Sequence, residues 1–158
     1  MLYPNGADFV IGAFAAARIG AVAVPFSTFA TTRELGEQLV GSDIRILLAT
    51  AVYRAHDYRA RLTELLPGAF EGVAPHAADR LLCPQAPQLR HIAMNHGTGT
   101  GHRLRDIGVL DRLADTVGEE LLAAMERNVG AADPLAIIYT SGSTSAPKGA
   151  VHTHGALL

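Results

Sequence analysis

Three times between residues 8 and 94 a helical pattern gives way to a short apolar run, and this alternation constrains the fold of the chain more than any other feature. Residues 8–19 are alanine-rich and apolar nearly all round, which predicts a helix covered on most sides. Gly20 stands where a left-handed residue would end it. Residues 21–24 then read as a short buried strand closed by Pro25. The next helix, residues 31–40, opens with Thr31-Thr32-Arg33-Glu34, a capping box in which the Thr31 hydroxyl and the Glu34 carboxylate satisfy each other's backbone donors. Leu35 and Leu39 share one of its faces, and Gly41 stops it. Residues 44–49 follow as a buried strand, 54–66 as a helix halted by Pro67, and 91–94 as a further strand. Helices alternating with short apolar strands imply an α/β fold, here a partial sheet flanked by helices with crossover connections.

The apolar stretch 9–26 is no membrane span, because Arg18 divides it and Gly20 and Pro25 punctuate it. Apolar residues make up 49% and charged ones 18%, as in a soluble globular chain long enough for one domain. The net charge of -2, with no basic stripe interleaved with aromatics, argues against nucleic acid as a partner. Cys83 is the only cysteine, so no intramolecular disulfide forms, in keeping with a reducing, cytoplasmic setting. It reads as a packed small hydrophobe rather than a nucleophile. Residues 67–87, rich in proline, alanine and glycine, are expected to wander over the surface. The run His96-Gly97-Thr98-Gly99-Thr100-Gly101-His102 has its third glycine one residue too early for a dinucleotide loop and reads as a flexible turn. His96, His102, His152 and His154 have no carboxylate or cysteine partner nearby and are read as structural or surface residues, with His154 helping to anchor the segment after residue 149. No Gly-x-Ser-x-Gly elbow supports a serine hydrolase.

Chemistry concentrates at residues 139–149, Tyr-Thr-Ser-Gly-Ser-Thr-Ser-Ala-Pro-Lys-Gly, behind an apolar run that predicts an inner, buried strand over 135–139. Ser, Thr and Gly offer little apolar area, and their side chains compete with the backbone for hydrogen bonds, so the stretch reads as a loop leaving that strand. Thr140, Ser141, Ser143, Thr144 and Ser145 set five hydroxyls around Gly142, and Lys148 ends the run. Converging donors closed by one ammonium suit a polyphosphate. Lys148 is the only lysine; every other cationic side chain is arginine, so a compact point charge is kept at this one place. The nucleotide-triphosphatase P-loop does not fit, because Pro147 precedes Lys148 and has no N–H to donate.

The run closely resembles the phosphate-binding signature of the adenylate-forming superfamily, which includes acyl-CoA synthetases, aryl-CoA ligases, luciferases and peptide-synthetase adenylation domains. Its pattern is an aromatic residue, then Thr-Ser-Gly-(Ser/Thr)-Thr-Gly-x-Pro-Lys-Gly. The one departure is Ser145, where the family has glycine; a positive φ there would strain serine. Residues 20–48, with Gly-Ala-Val-Ala-Val-Pro and then Glu-Leu-Gly-Glu-Gln-Leu, look like the early region of the same superfamily. The resemblance implies a fragment of the large N-terminal domain of an adenylate-forming enzyme, truncated at both ends, with its phosphate loop at 139–149. It implies that Thr140, Ser141, Gly142, Ser143, Thr144 and Lys148 hold the β- and γ-phosphates of ATP, with a Ser143 or Thr144 hydroxyl close to Mg²⁺. The implied reaction activates a carboxylic acid, fatty or otherwise, to an acyl-adenylate and then to a thioester of coenzyme A. The family's adenine-binding segment, acyl pocket, ribose-binding aspartate and C-terminal domain with its catalytic lysine would follow Leu158, so the segment alone is expected to be inactive. The alternative is a non-catalytic remnant or a small nucleotide-phosphate-binding module.

Overall fold

The computed structural model describes residues 1–67, 69, 81–95, 104–106, 108–140 and 148–157, and the chain divides into two compact units. One comprises Met1, Tyr3–Phe26 and Arg112–Leu158; the other comprises Leu2 and Ser27–Asp111. Helices and small sheets in both bear out the α/β class. No helix among the described residues is long and apolar enough to cross a membrane.

In the first unit, α1 (Ala7–Arg18) carries Asp8 in its first turn and Arg18 in its last, each charge matched to the helix dipole. It ends at Gly20, whose φ of +68° is the left-handed conformation expected from the sequence. The expectation that α1 is covered on most sides fails. Gly12 is its one buried residue, and Ile11 and Phe14 are 66% and 68% exposed. An all-apolar helix has no face that must meet water, but its sequence supplies no neighbour to cover it. The strand expected over 21–24 contracts to a single parallel bridge, Ala23 to Ala136. Ala23 uses both its backbone groups there, its N–H donating to Leu135 O and its carbonyl accepting from Ile137 N, each at 2.9 Å. Those bonds flank β6 (Pro134–Thr140) on one side, and β7 (Lys148–Thr153) pairs antiparallel on the other. β6 is therefore an inner strand by pairing, yet only Ala136 is buried along it and Ile138 is exposed. The ladder is too narrow to bury both of its faces. α5 (Glu119–Arg127) belongs to this unit, and Arg18 bonds Glu126 from α1; α4 (Gly108–Ala114) begins in the residues of the second unit and ends in those of the first. Neither helix is among the elements expected from the sequence.

Tyr3 is buried in this unit, and its hydroxyl has no hydrogen-bond partner. Burial, and secondarily the charge of Asp8, push the phenol up to about 12. Tyr3→Phe removes an unsatisfied group without removing the ring, so thermal unfolding at neutral pH should show stability unchanged or raised by about 1 kcal/mol. Because the folded value is raised, the wild-type phenol favours folding below the ordinary value of 10.0 and that contribution is lost as pH climbs toward 12. The phenylalanine variant should lack this alkaline loss.

In the second unit, β1 (Ile46–Thr50), β4 (His91–Asn95) and β5 (Leu104–Asp106) form a parallel sheet in that order. Leu2 extends it beyond β1, donating to Leu48 O at 2.8 Å and accepting from Thr50 N at 3.0 Å. Leu2, Leu47, Ala49, Ile92, Ala93 and Met94 form its buried centre. α2 (Thr32–Gly41) packs on α3 (Tyr58–Leu65), and Gly36 admits Leu65 so closely that an added Cβ would lie 2.9 Å from Leu65 Cδ2. The capping box is present, with Glu34 Oε2 accepting from Thr31 N at 2.8 Å and Thr31 Oγ1 accepting from Glu34 N at 3.2 Å.

One expectation for this unit is corrected and another holds in part. The helix expected over 54–66 begins only at Tyr58, because Asp57 Oδ1 accepts from Ala60 N at 2.8 Å and caps it. Before it, β2 (Val52–Tyr53) and β3 (His56–Asp57) form a short hairpin turned by Arg54 at φ 53°. Of the stretch 67–87 expected on the surface, the described Pro67, Leu82, Pro84, Gln85 and Pro87 are exposed, but four residues between them are not. Ala69, Leu81, Cys83 and Ala86 are buried, and Leu81 N donates to Arg90 O at 2.8 Å. Cys83 is a packed residue, as expected, its thiol donating to Gln85 Oε1 at 3.1 Å. The glycine run 96–102 lies outside the described residues.

Hydrogen bonds from the Thr31 backbone N–H, then from its hydroxyl, hold the Glu34 carboxyl below its ordinary value of 4.5. A depressed folded value stabilises above the unfolded carboxyl's range and is lost as pH falls through the folded one. Amide-exchange protection in the first turn of α2 should therefore weaken on acidification below about 4.5, and Glu34→Gln should flatten that dependence.

Candidate functional site

The hairpin of β6 and β7 builds the candidate site. β6 is a run of apolar and β-branched residues that ends at Thr140, where serine and glycine take over. β7 begins at Lys148, as soon as Pro147, which cannot donate to a ladder, has passed. The register sets Thr140 opposite Lys148, Tyr139 opposite Gly149, Ile138 opposite Ala150, Ile137 opposite Val151 and Ala136 opposite His152. Partners in an antiparallel ladder share a face and alternate along it. Thr140, Lys148, Ile138, Ala150, Ala136 and His152 thus lie on one face; Tyr139, Gly149, Ile137 and Val151 lie on the other.

Two of the six residues singled out from the sequence, Thr140 and Lys148, are therefore brought together at the end of the hairpin where residues 141–147 connect its strands. Thr140 Oγ1 donates to the Lys148 carbonyl at 3.4 Å and ties the strand ends. Both residues are exposed. Among the described residues the ion pairs are Arg18 with Glu126 and Arg33 with Glu37, so no carboxylate neutralises Lys148. An exposed lysine paired across the ladder with a threonine, with no acidic partner among the described residues, fits an anion from solution. Ser141, Gly142, Ser143 and Thr144 lie outside the described residues.

The far end of the hairpin is fixed to the turn before β6. His154 N donates to Asp133 O at 3.0 Å, Gly155 N to Ala131 O at 2.8 Å, and Asp133 Oδ2 accepts from Gly130 N at 2.8 Å. His154 thus anchors the segment through its backbone. Among the described residues no group of three or more His, Cys, Asp or Glu side chains could hold a metal. Sequence reasoning missed β7 itself and the packing around Gly149, where an added Cβ would stand 2.7 Å from Ile137 Cγ2. The available sign was Val151 and Thr153, two β-branched residues spaced by two after the glycine.

The family model for AMP-binding enzymes matches residues 1–158. Acetyl-coenzyme A synthetase of Stutzerimonas stutzeri is 30% identical over 155 residues, covering 96% of this chain and 21% of that enzyme. Long-chain-fatty-acid–CoA ligase FadD13 of Mycobacterium tuberculosis is 30% identical over 154 residues, covering 98% of this chain and 24% of that ligase. The chain therefore spans between a fifth and a quarter of the length of these relatives. A crystal structure of the anthranilate CoA ligase AuaEII in complex with anthranoyl-AMP superposes with a TM-score of 0.70 over 97% of this chain and 24% of that one; at 23% identity it attests the fold. With every residue inside the family match and with that fold, the chain belongs to the AMP-binding enzyme family.

Proposed function

We propose that residues 1–158 form part of an adenylation domain whose loop 139–149 grips the phosphate tail of ATP. In this reading Thr140, Ser141, Gly142, Ser143, Thr144 and Lys148 hold the β- and γ-phosphates, and Mg²⁺ arrives with the nucleotide beside the Ser143 or Thr144 hydroxyl. The observation that carries it is the hairpin register, which returns Lys148, with no ion pair among the described residues, to the same end and face as Thr140. One ammonium and clustered hydroxyl and amide donors match a polyphosphate better than a carboxylate or a sugar.

The protein then activates a carboxylic acid in the cytoplasm. A carboxylate oxygen attacks the α-phosphate of ATP, pyrophosphate leaves, and the thiol of coenzyme A displaces AMP from the acyl-adenylate to give the thioester. The contribution of this chain to the first step is charge stabilisation and alignment: Lys148 neutralises the departing pyrophosphate, and the hydroxyls orient it for in-line displacement. Fatty acids or shorter acyl acids are the proposed substrates, because the similar curated enzymes are an acetyl-coenzyme A synthetase and a long-chain-fatty-acid ligase. Acid-dependent ATP–pyrophosphate exchange in the complete protein tests the activity, and absence of exchange with acyl acids of every length would refute it. On the 158-residue chain the loop alone should bind ATP with little preference over tripolyphosphate, since it recognises only the phosphate tail. That chain by itself is proposed not to turn over.

A further inference from the structure

Among the described residues of β6 and β7, Gly149 stands where a side chain would have no room, next to a residue of the site. A Cβ there would lie 2.7 Å from Ile137 Cγ2 and 3.4 Å from Tyr139 Cζ. The first distance is far inside the optimum of about 3.5–4.0 Å for non-bonded carbons. Ile137 Cγ2 sits directly on a branched Cβ, whose χ1 is restricted in a strand, so it cannot swing aside as a flexible chain end would. Backbone freedom is not the reason for glycine, because Gly20, and not Gly149, is the glycine with positive φ among the described residues. Gly149 is itself exposed, but Ile137 and the Tyr139 ring crowd the one direction in which a Cβ would point.

What that notch fixes is register. Side chains alternate along a strand, so a slip of one residue would move Lys148 from the face it shares with Thr140 to the face of Ile137 and Tyr139. Lys148 is the immediate neighbour of Gly149, and with Thr140 it forms the last pair of the described ladder, so a slip at Gly149 displaces it directly. We infer that Gly149 is a positioning residue: by accepting Ile137 and Tyr139 over its bare Cα it locks the ladder in the register that presents Lys148 beside Thr140 to a phosphate tail. This rests on the phosphate-loop reading proposed above. Gly149 itself touches no reacting atom in this role.

The test is a size-exchange cycle on the 158-residue chain, with inorganic tripolyphosphate as the probe and two readouts by NMR: the Thr140–Lys148 cross-strand contacts and the tripolyphosphate affinity. Gly149→Ala should abolish those contacts and weaken tripolyphosphate binding about tenfold. Ile137→Ala/Gly149→Ala, which removes Cγ2, should restore both. If Gly149→Ala alone does not fold, the comparison is made within the Ile137→Ala background, where adding the alanine at 149 should leave contacts and affinity unchanged. The inference is overturned if Gly149→Ala keeps both contacts and affinity, or if the folded double variant fails to recover them, since the glycine would then serve something other than clearance beneath Ile137. Lys148→Ala separates the two claims: unchanged tripolyphosphate affinity in that variant refutes the phosphate reading, while the cross-strand contacts still decide the role of Gly149.

Discussion

Lys148→Ala, in the complete protein that carries this segment, is expected to slow ATP–pyrophosphate exchange about a hundredfold to a thousandfold, because loss of one preorganised contact to a developing charge costs about 3–4 kcal/mol in transition-state stabilisation. Lys148 is the only lysine of the chain, and it opens β7 directly across from Thr140. Its ammonium is not spent on a described carboxylate, so its removal takes charge from the ligand and not from a structural ion pair. For the same reason the variant should fold normally, since Lys148 is exposed and its ladder bonds are made by backbone. Lys148→Arg should also be impaired: the guanidinium is planar and bulkier, and a fork of donors does not occupy the place of a compact ammonium among hydroxyls. Exchange unchanged in folded Lys148→Ala would rule out a phosphate role for this residue.

What the sequence discloses about this chain depends on how far apart the interacting residues lie. The α2 cap was legible because Thr31 and Glu34 are three residues apart and their bonds form within one helical turn. Gly20 was legible for a similar reason, since a left-handed residue after an alanine-rich run needs no distant partner. The Asp57 cap is equally local, but the expected helix began too early, at residue 54, because arginine and alanine are good helix formers and outweighed the cap three residues on. Nonlocal features were hidden. Leu81 is buried and donates to Arg90 O, and Arg90 N in turn donates to Arg45 O, so Leu81 is held by residues that local composition does not reveal.

The site divides in the same way. Hydroxyls, glycine and a lone lysine are a composition, and composition was enough to suggest a polyphosphate. That Thr140 and Lys148 stand opposite one another is a pairing, and it requires β7, a strand with no continuous apolar run to announce it. Antiparallel return is also the physical reason the site can work. A loop tethered at one end would leave Lys148 at the tip of a floppy chain, whereas two paired ends confine both the first hydroxyl and the ammonium to one end of a ladder.

Burial, not hydrophobicity, should decide which apolar residues hold the chain together, and the sharpest test contrasts Leu62 with Phe14. Leu62 has no exposed surface and lies on α3 one turn beyond buried Tyr58. The helix is held in place on that side by the Tyr58 hydroxyl, which donates to Thr28 O at 2.7 Å, and by Arg61 Nη1, which donates to Ala30 O at 2.9 Å. Those bonds hold α3 in place, so a shorter side chain at residue 62 should leave a cavity that is only partly closed. Leu62→Ala should therefore cost about 3 kcal/mol, within the range for a buried leucine that leaves a cavity. Phe14 is larger and more apolar, yet it is 68% exposed on α1, so Phe14→Ala should shift stability by only about 0.5 kcal/mol. Urea unfolding of the 158-residue chain, followed by circular dichroism, measures both. A loss for Phe14→Ala equal to that for Leu62→Ala would mean that α1 is covered in solution, and that its apolar periphery carries stability the described contacts do not account for.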